Sequence, residues 1–329
     1  MNLTHTPAAA RRSLDNASYN SRTLALIHSG AALAVSLILV ILNMVLSRSI
    51  EGTGGLGGLG TRAILESAQS LLSTGSNLLL PFWQIGFVFA ALQYAQNQQA
   101  GPQSLMEGFR RFGKVLRTIL LQVMMYLAIG LACMNLASFV FFLTPLSSKL
   151  VSQLEPMLDN PGALTALLSD PAAMERLSQQ MLPMYIILAV ILLLVCTPLF
   201  FRLRMASFAI MDDAPGALAA IVGSFRMMKG NCIALLKVDL KFWWFFALKI
   251  FAAGAAYGDV ILPFVGIRLP FNEDVLFYGA YGLYIVLELV INWRFAAYIQ
   301  TTYAHCYEAL KANASRPAEI PNFNSAGLT

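Results

Sequence analysis

Charged residues are scarce in this chain. Of its 329 residues, only 12% are Asp, Glu, Lys or Arg, whereas 57% are hydrophobic. Soluble globular domains carry about 25% charged residues, so this composition excludes an ordinary water-exposed surface. The apolar residues also come in long blocks, and a block of about 18 or more residues is long enough to cross a bilayer as a helix. The sequence therefore predicts an integral membrane protein.

Residue types that carry catalysis or bind metals are scarce as well. The three histidines, His5, His28 and His305, lie far apart in the sequence, so no histidine-rich metal site or catalytic triad is predicted. The four cysteines have the wide, irregular spacing of buried free thiols. No Walker motif and no nucleophile elbow is present. We therefore expect no enzymatic activity and no cofactor or metal.

Six apolar blocks predict six transmembrane helices in an all-α helical bundle, because the alternating pattern of barrel strands is missing. The blocks cover residues 23–46, 77–95, 119–143, 184–201, 233–253 and 275–298. They divide the chain into an N-terminal tail (1–22), a transmembrane domain (23–310) and a C-terminal tail (311–329). The predicted outer loops lie near residues 47–76, 144–183 and 254–274.

The positions of Lys and Arg predict the orientation of the bundle, because cytoplasmic segments carry more of both. With the N-terminus inside, thirteen cations lie in inner segments and five in outer ones. The inner cations are Arg11, Arg12, Arg22, Arg110, Arg111, Lys114, Arg117, Arg202, Arg204, Arg226, Lys229, Lys311 and Arg316. The outer cations are Arg48, Arg62, Lys149, Arg176 and Arg268. We expect both termini in the cytoplasm and the protein in a bacterial inner membrane, with no nucleic-acid partner.

Two predicted cytoplasmic connections share one design. The first holds a capping box, Ser104 with Glu107 three residues later, which predicts the start of a helix. Its apolar residues then fall on one helical face, and its cations Arg110, Arg111 and Lys114 fall largely elsewhere. This pattern indicates an amphipathic helix at the inner membrane surface, with its cations reaching the head groups of anionic lipids.

The second connection follows the breaking sequence at residues 212–215, and its cations are Arg226 and Lys229. Placing Pro81 on Pro198 also places Gly113 on Gly230 without a gap. Duplicated halves are common among membrane transport proteins, so a three-plus-three internal repeat is one hypothesis. Chance identity at two positions is the alternative.

Charged residues inside predicted spans are candidates for a functional site, because they are costly there. Glu288 lies near the middle of the sixth span, and the fifth span carries Lys237, Asp239, Lys241 and Lys249. Antiparallel packing of these two helices would bring Glu288 near Lys241 or Lys249. The functional interpretation is a polar site for an ion, a proton or an anionic head group. The alternative is an ion pair that fixes the helix register, with Lys237 reaching the inner surface.

Residues 212–310 resemble part of an uncharacterised family of bacterial integral membrane proteins, domain of unknown function 975. The resemblance lies in residues 224–231 (SFRMMKGN), 235–244 (LLKVDLKFWW) and 297–308 (AYIQTTYAHCYE), within the C-terminal third of the chain. The three lysines of the fifth span depart from the family pattern. The resemblance implies a bacterial membrane protein with several spans and supplies no activity.

Two functional hypotheses follow. The preferred one is a permease-like or lipid-handling protein with a polar site made of Glu288, Lys241, Lys249 and Asp239. The other is a non-transporting assembly, regulatory or interaction protein whose basic cytoplasmic helices dock a protein partner or a second copy of the chain. The sequence does not specify the substrate, the coupling ion or the oligomeric state.

Overall fold

The computed structural model describes residues 3–52, 59–145, 147–148, 171–212, 214–257 and 273–315. Within these ranges the chain is helical and forms no strand. The predicted all-α fold is confirmed. The helices are α1 (Thr6–Asp15), α2 (Ser21–Gly52), α3 (Leu59–Ala95), α4 (Glu107–Arg110), α5 (Phe112–Phe142), α6 (Pro171–Leu203), α7 (Ala206–Met211), α8 (Ala217–Met228), α9 (Cys232–Lys241), α10 (Trp243–Ala256), α11 (Glu273–Ile291) and α12 (Ala297–Ala314).

Among the described residues, four helical segments are long and apolar enough to cross a membrane, namely Ser21–Leu42, Phe112–Phe142, Met181–Met211 and Tyr278–Ala314. Helices α8 and α9 make a fifth if this pair, bent by 85°, counts as one span. The apolar segments Leu79–Ala95 and Trp243–Ala256 are shorter. A multi-pass membrane protein fits these lengths, with four or five candidate spans where the sequence predicts six.

The chain forms two compact units. One contains residues 1–118 and 205–329, and the other contains residues 119–204. The smaller unit holds most of α5 and all of α6, and its apolar side chains are largely exposed. Leu127 and Leu193, for example, keep 62% and 69% of their surface accessible. Outward-facing leucines of this kind are typical of helices surrounded by lipid. The larger unit holds all the residues of the candidate site.

Several predicted loop residues belong to long helices. Helix α3 begins at Leu59, so residues 59–76 of the first predicted outer loop are helical. Helix α6 begins at Pro171 and continues to Leu203, which makes residues 171–183 part of the same helix as the fourth predicted span. Proline is well suited to the first position of a helix because its missing amide has no partner there. The predicted cap Asp170 lies outside the described residues.

The segment predicted as the N-terminal tail contains a helix that packs in the larger unit. Leu3 and Ala10 are buried. Thr6 Oγ1 lies 3.3 Å from Cys306 Sγ on α12, and Ser13 Oγ lies 3.0 Å from His305 Nε2. Helix α1 is therefore fixed to α12 by polar contacts as well as by apolar burial.

The first basic connection folds into two short helices and the start of the long helix α5 rather than into one amphipathic helix. A 3₁₀ helix at Pro102–Met106 precedes α4, and α5 begins at Phe112. Gly101 caps the 3₁₀ helix, and its amide donates to Ser104 Oγ at 3.2 Å. Ser104 is therefore the third residue of the turn and not its cap, so the predicted position of the capping box is wrong. The chain turns tightly here because it packs closely on α3.

The two glycines aligned in the repeat hypothesis have different backbones. Gly113 is helical within α5, whereas Gly230 has a φ of +77° in the turn between α8 and α9. A φ of this sign is readily adopted by glycine and strained for most other residues. The match between Gly113 and Gly230 therefore reflects no shared conformation. The three-plus-three repeat stays a prediction.

Candidate functional site

Three polar side chains from two apolar helices meet in the larger unit. Lys249 lies on α10 and Glu288 on α11, and Asn292 opens the π-helix Asn292–Ala296 that joins α11 to α12. Helices α10 and α11 pack against each other. Glu288 and Asn292 are four residues apart, so they project from one face toward α10. The predicted approach of Glu288 to a lysine of the fifth span is therefore present, with Lys249 as the lysine.

The three side chains form a closed hydrogen-bonded ring. Lys249 Nζ donates to Glu288 Oε1 and, at 2.7 Å, to Asn292 Oδ1. Asn292 Nδ2 donates to Glu288 Oε1 at 3.1 Å. Accessible surface remains on 27% of the Lys249 side chain and 18% of the Glu288 side chain. The ammonium and the carboxylate thus neutralise each other, and a part of each side chain remains accessible.

One aromatic residue contacts this ring, and a separate stacked group lies on α2 and α3. The Lys249 ammonium lies 5.6 Å from the centre of the Phe245 ring, close enough for a cation–π contact. His28 on α2 stacks on two rings of α3. Its ring centre lies 4.4 Å from that of Phe87 and 5.9 Å from that of Trp83. Among the described residues, His28 Nδ1 is buried and has no hydrogen-bond partner.

The other two residues of the predicted polar site lie elsewhere. Lys241 Nζ donates to Thr4 O at 3.0 Å near the N-terminal segment. Asp239 accepts a hydrogen bond of 2.7 Å from Tyr303 Oη. Both belong to α9, which ends at Lys241, whereas Lys249 belongs to α10. The break between these helices separates Lys241 and Asp239 from the ring around Glu288.

The predicted basic helices contain one cation that points into the fold. Arg111 donates to Met211 O at 2.7 Å, and its guanidinium lies 5.3 Å from the centre of the Phe89 ring. Arg110 pairs with Glu107 at 2.7 Å and stays 63% exposed. Arg111 therefore holds the fold together, while Arg110 remains accessible to lipid or solvent.

The remaining predicted cations, Lys114, Arg226 and Lys229, lie on α5, on α8 and in the turn after α8. All three side chains are exposed. Whether they contact lipid head groups stays a prediction.

The family model for a protein of unknown function (DUF975) matches residues 11–314. The chain belongs to this family. The resemblance in the sequence was placed in the C-terminal third alone, and that extent is wrong, because the match covers most of the chain. No curated protein and no solved structure matches the chain.

A second polar cluster in this family member was not predicted as a site. The Asp212 side chain is only 9% exposed and accepts hydrogen bonds from Lys311 Nζ at 2.6 Å and Tyr307 Oη at 2.9 Å. Gln96 at the end of α3 donates to Glu308 Oε1 at 2.7 Å. These contacts join α3, α7 and α12. From sequence, Asp212 was interpreted only as a helix breaker, since nothing near it in the chain indicates its distant partners.

Metal binding has no candidate in the part of the chain that the structure describes, where no three His, Cys, Asp or Glu side chains come together. The ring of Lys249, Glu288 and Asn292 is suited to other chemistry. It offers a cation, a carboxylate and an amide within hydrogen-bonding distance of one another. Such a group can bind a polar molecule, or exchange a proton or an ion, in apolar surroundings.

Proposed function

We propose that this protein is a permease-like or lipid-handling membrane protein, and that Lys249, Glu288 and Asn292 form the site that contacts its ligand. The observation that supports the proposal is the hydrogen-bonded ring of these side chains between two apolar helices. The ligand is a small ion, a proton or an anionic head group. An anion would displace Glu288 from Lys249, whereas a proton would neutralise Glu288.

The local backbone supports a functional role. A π-helix is rare and frequently occurs at functional sites, because the extra residue reorients the side chains that follow it. Asn292 is the first residue of this π-helix, directly beside the ion pair. A buried ion pair also needs further hydrogen bonds to its remaining donors and acceptors, and Asn292 supplies them here. The π-helix beside the pair is therefore the feature that favours ligand binding.

Native mass spectrometry of the protein in lipid nanodiscs tests the proposal. We compare the wild type with Glu288→Gln, which removes the charge and keeps the shape of the side chain. Glu107→Gln is the matched control, since it removes a carboxylate from an ion pair outside the long apolar helices. We expect a discrete ligand in the wild type and the control, and none in Glu288→Gln.

The competing hypothesis predicts the reverse pattern. An assembly or regulatory protein would retain its behaviour in Glu288→Gln and lose a co-purified partner when charge is reversed at Arg110, Arg111 and Lys114. Arg111 also binds Met211 O, so the informative reversal uses Arg110 and Lys114 alone. Loss of a partner in that variant, with no ligand in the wild type, would contradict the permease-like proposal.

We further propose that the protein lies in the bacterial inner membrane with both termini in the cytoplasm, and that it is not an enzyme. Thirteen inner against five outer cations support the orientation. Anionic lipids at the cytoplasmic face are the proposed partners of the exposed cations, with a protein partner or a second copy as the alternative. Reporter fusions to the two termini test the orientation.

A further inference from the structure

A cavity of about 790 Å³ lies where the N-terminal segment meets the apolar helices. The end of α1, the turn before α2, the start of α10 and the junction of the π-helix with α12 all contribute to its walls. Three arginines line it, Arg11, Arg22 and Arg294. The volume is typical of a small-molecule or head-group site.

The cavity carries an excess of positive charge. Asp15 is the one acidic residue among its lining residues, which leaves three cations against one anion. No ion pair of the described residues involves any of the three arginines. Lining residues with this imbalance attract an anion, because each guanidinium provides several donors that a neutral ligand cannot satisfy as well.

Two of the guanidinium groups lie near aromatic rings, and all three arginines are exposed. Arg11 lies 5.2 Å from the centre of the Tyr298 ring, and Arg294 lies 5.9 Å from the centre of the Phe295 ring. Trp244 packs edge-on against Phe295 with ring centres 4.6 Å apart. Contact with a ring leaves the hydrogen-bond donors of an arginine available to a ligand.

The first turn of α2 adds a further positive contribution. Asn20 Oδ1 accepts a hydrogen bond from the Arg22 amide at 2.9 Å, which fixes Asn20 as the cap of this 32-residue helix. Asn20, Ser21 and Arg22 all line the cavity. The N-terminal end of a helix carries a partial positive charge and is a common place for phosphate groups to bind.

The position of the cavity along the chain fits the surface of a membrane. The first candidate span begins at Ser21, which lines the cavity. Trp and Tyr side chains prefer this depth, where lipid phosphates lie. Trp244 and Tyr298 are thus suited to hold the glycerol and upper acyl region below a phosphate.

We propose that this cavity binds a phosphate-bearing group through Arg11, Arg22 and Arg294. The group is either the head group of an anionic phospholipid or a soluble phosphate ester, which present the same chemistry to the arginines. For the lipid head group, this inference rests on the proposal above that anionic lipids are partners of the exposed cations, and it assigns them one site. This site is distinct from the ring around Glu288. The proposal holds whether or not that ring binds a ligand.

Native mass spectrometry in nanodiscs tests this proposal with two probes. In the first arm, phosphatidylglycerol is a minor component of phosphatidylcholine nanodiscs. In the second arm, glycerol 3-phosphate is titrated onto nanodiscs of phosphatidylcholine alone. The variant is the double substitution Arg11→Gln and Arg294→Gln. The control is Arg12→Gln, since Arg12 is an exposed neighbour on α1 outside the cavity lining.

We expect the double variant to bind its probe at least about tenfold more weakly, since two charge-assisted hydrogen-bonding groups are removed. The control should bind as the wild type does. A loss confined to the first arm identifies a lipid head group, and a loss in the second arm identifies a soluble phosphate ester. Arg22→Gln serves as a second variant if the double variant fails to fold.

Two results would overturn the proposal. In one, wild type and cavity variants bind both probes equally, so that the arginines make no contact with phosphate. In the other, Arg12→Gln loses as much binding as the cavity variants, so that the attraction comes from diffuse surface charge.

Discussion

The ion pair between Lys249 and Glu288 makes a prediction about stability that distinguishes a buried pair from a hydrated one. Lys249→Met and Glu288→Leu each leave one charge without its partner beside apolar residues. The side chains are mostly covered by neighbours, with 27% and 18% of their surfaces accessible. An uncompensated charge in such a place costs about 2–4 kcal/mol. Each single variant should lower the free energy of unfolding by this amount.

The double variant, Lys249→Met with Glu288→Leu, should recover most of the loss. Replacing a buried pair with apolar residues of similar size is often neutral or stabilising, and Asn292 is the one polar group left from the ring. We expect the double variant to unfold within about 1 kcal/mol of the wild type. The coupling energy between the two substitutions would then be about 3 kcal/mol or more.

Equilibrium unfolding in mixed micelles, followed by tryptophan fluorescence, measures all four proteins of this cycle. The pair of Arg110 and Glu107, in which the arginine side chain is 63% exposed, provides a control cycle with an expected coupling of about 0.2–1 kcal/mol. A coupling at Lys249 and Glu288 no larger than in the control would refute the reasoning. It would mean that water solvates both charges and that apolar burial does not hold them together.

The same double variant separates structure from function. If the pair only fixes the helix register, a folded double variant should retain any ligand that the wild type binds. If the ring is the proposed binding site, the double variant should fold and lose the ligand, as Glu288→Gln does. Native mass spectrometry of the four proteins of the cycle gives this second measurement on the same samples.

Three further predictions concern the rest of the chain. Gly86→Ala would place a Cβ 1.9 Å from the carbonyl oxygen of Leu105, so it should lower the free energy of unfolding in detergent by about 3 kcal/mol or more. The control Gly223→Ala places its Cβ in open space and should raise the free energy of unfolding by about 0.5–1 kcal/mol. Equal effects of the two substitutions would contradict the close packing at Gly86. Asp212→Asn should lower the free energy of unfolding by about 1–3 kcal/mol, because the contacts with Lys311 and Tyr307 weaken. Glu107→Gln should lower it by less than about 1 kcal/mol. Equal losses in the two variants would contradict the burial of Asp212. Green fluorescent protein fused to either terminus should fluoresce, and alkaline phosphatase fused there should be inactive. An active phosphatase fusion would contradict the cytoplasmic orientation of that terminus.

The helical fold could be predicted because apolar blocks of span length leave few other structures open to the chain. The break in the fifth predicted span could not be predicted. Residues 233–253 contain no proline and no glycine, yet the helix breaks at Phe242, whose amide donates to Asp239 O at 2.8 Å in a tighter turn. Phe242 is buried against Tyr298 and Tyr303 of the last helix. Contacts made by distant residues therefore produce the break.

The partner of Glu288 was predictable as one of two lysines, and the break decides between them. A continuous helix would place Lys241 and Lys249 on roughly one side, two turns apart. The break instead leaves Lys241 bound to Thr4 O and Lys249 bound to Glu288. Sequence spacing gave the candidates, and only the backbone turn at Phe242 separates them.

The arginine-lined cavity lay beyond sequence reasoning for a different reason. Arg294 falls inside the last predicted span, so it belongs to neither the inner nor the outer segments. Arg11 and Arg22 belong to the predicted tail. The π-helix brings these regions together, since its first residue, Asn292, reaches the Glu288 ring and its third, Arg294, lines the cavity. In a regular α-helix, residues two apart face directions about 200° apart. One short segment thus serves two polar sites on different sides of the helix, and a count of charges per segment cannot detect this arrangement.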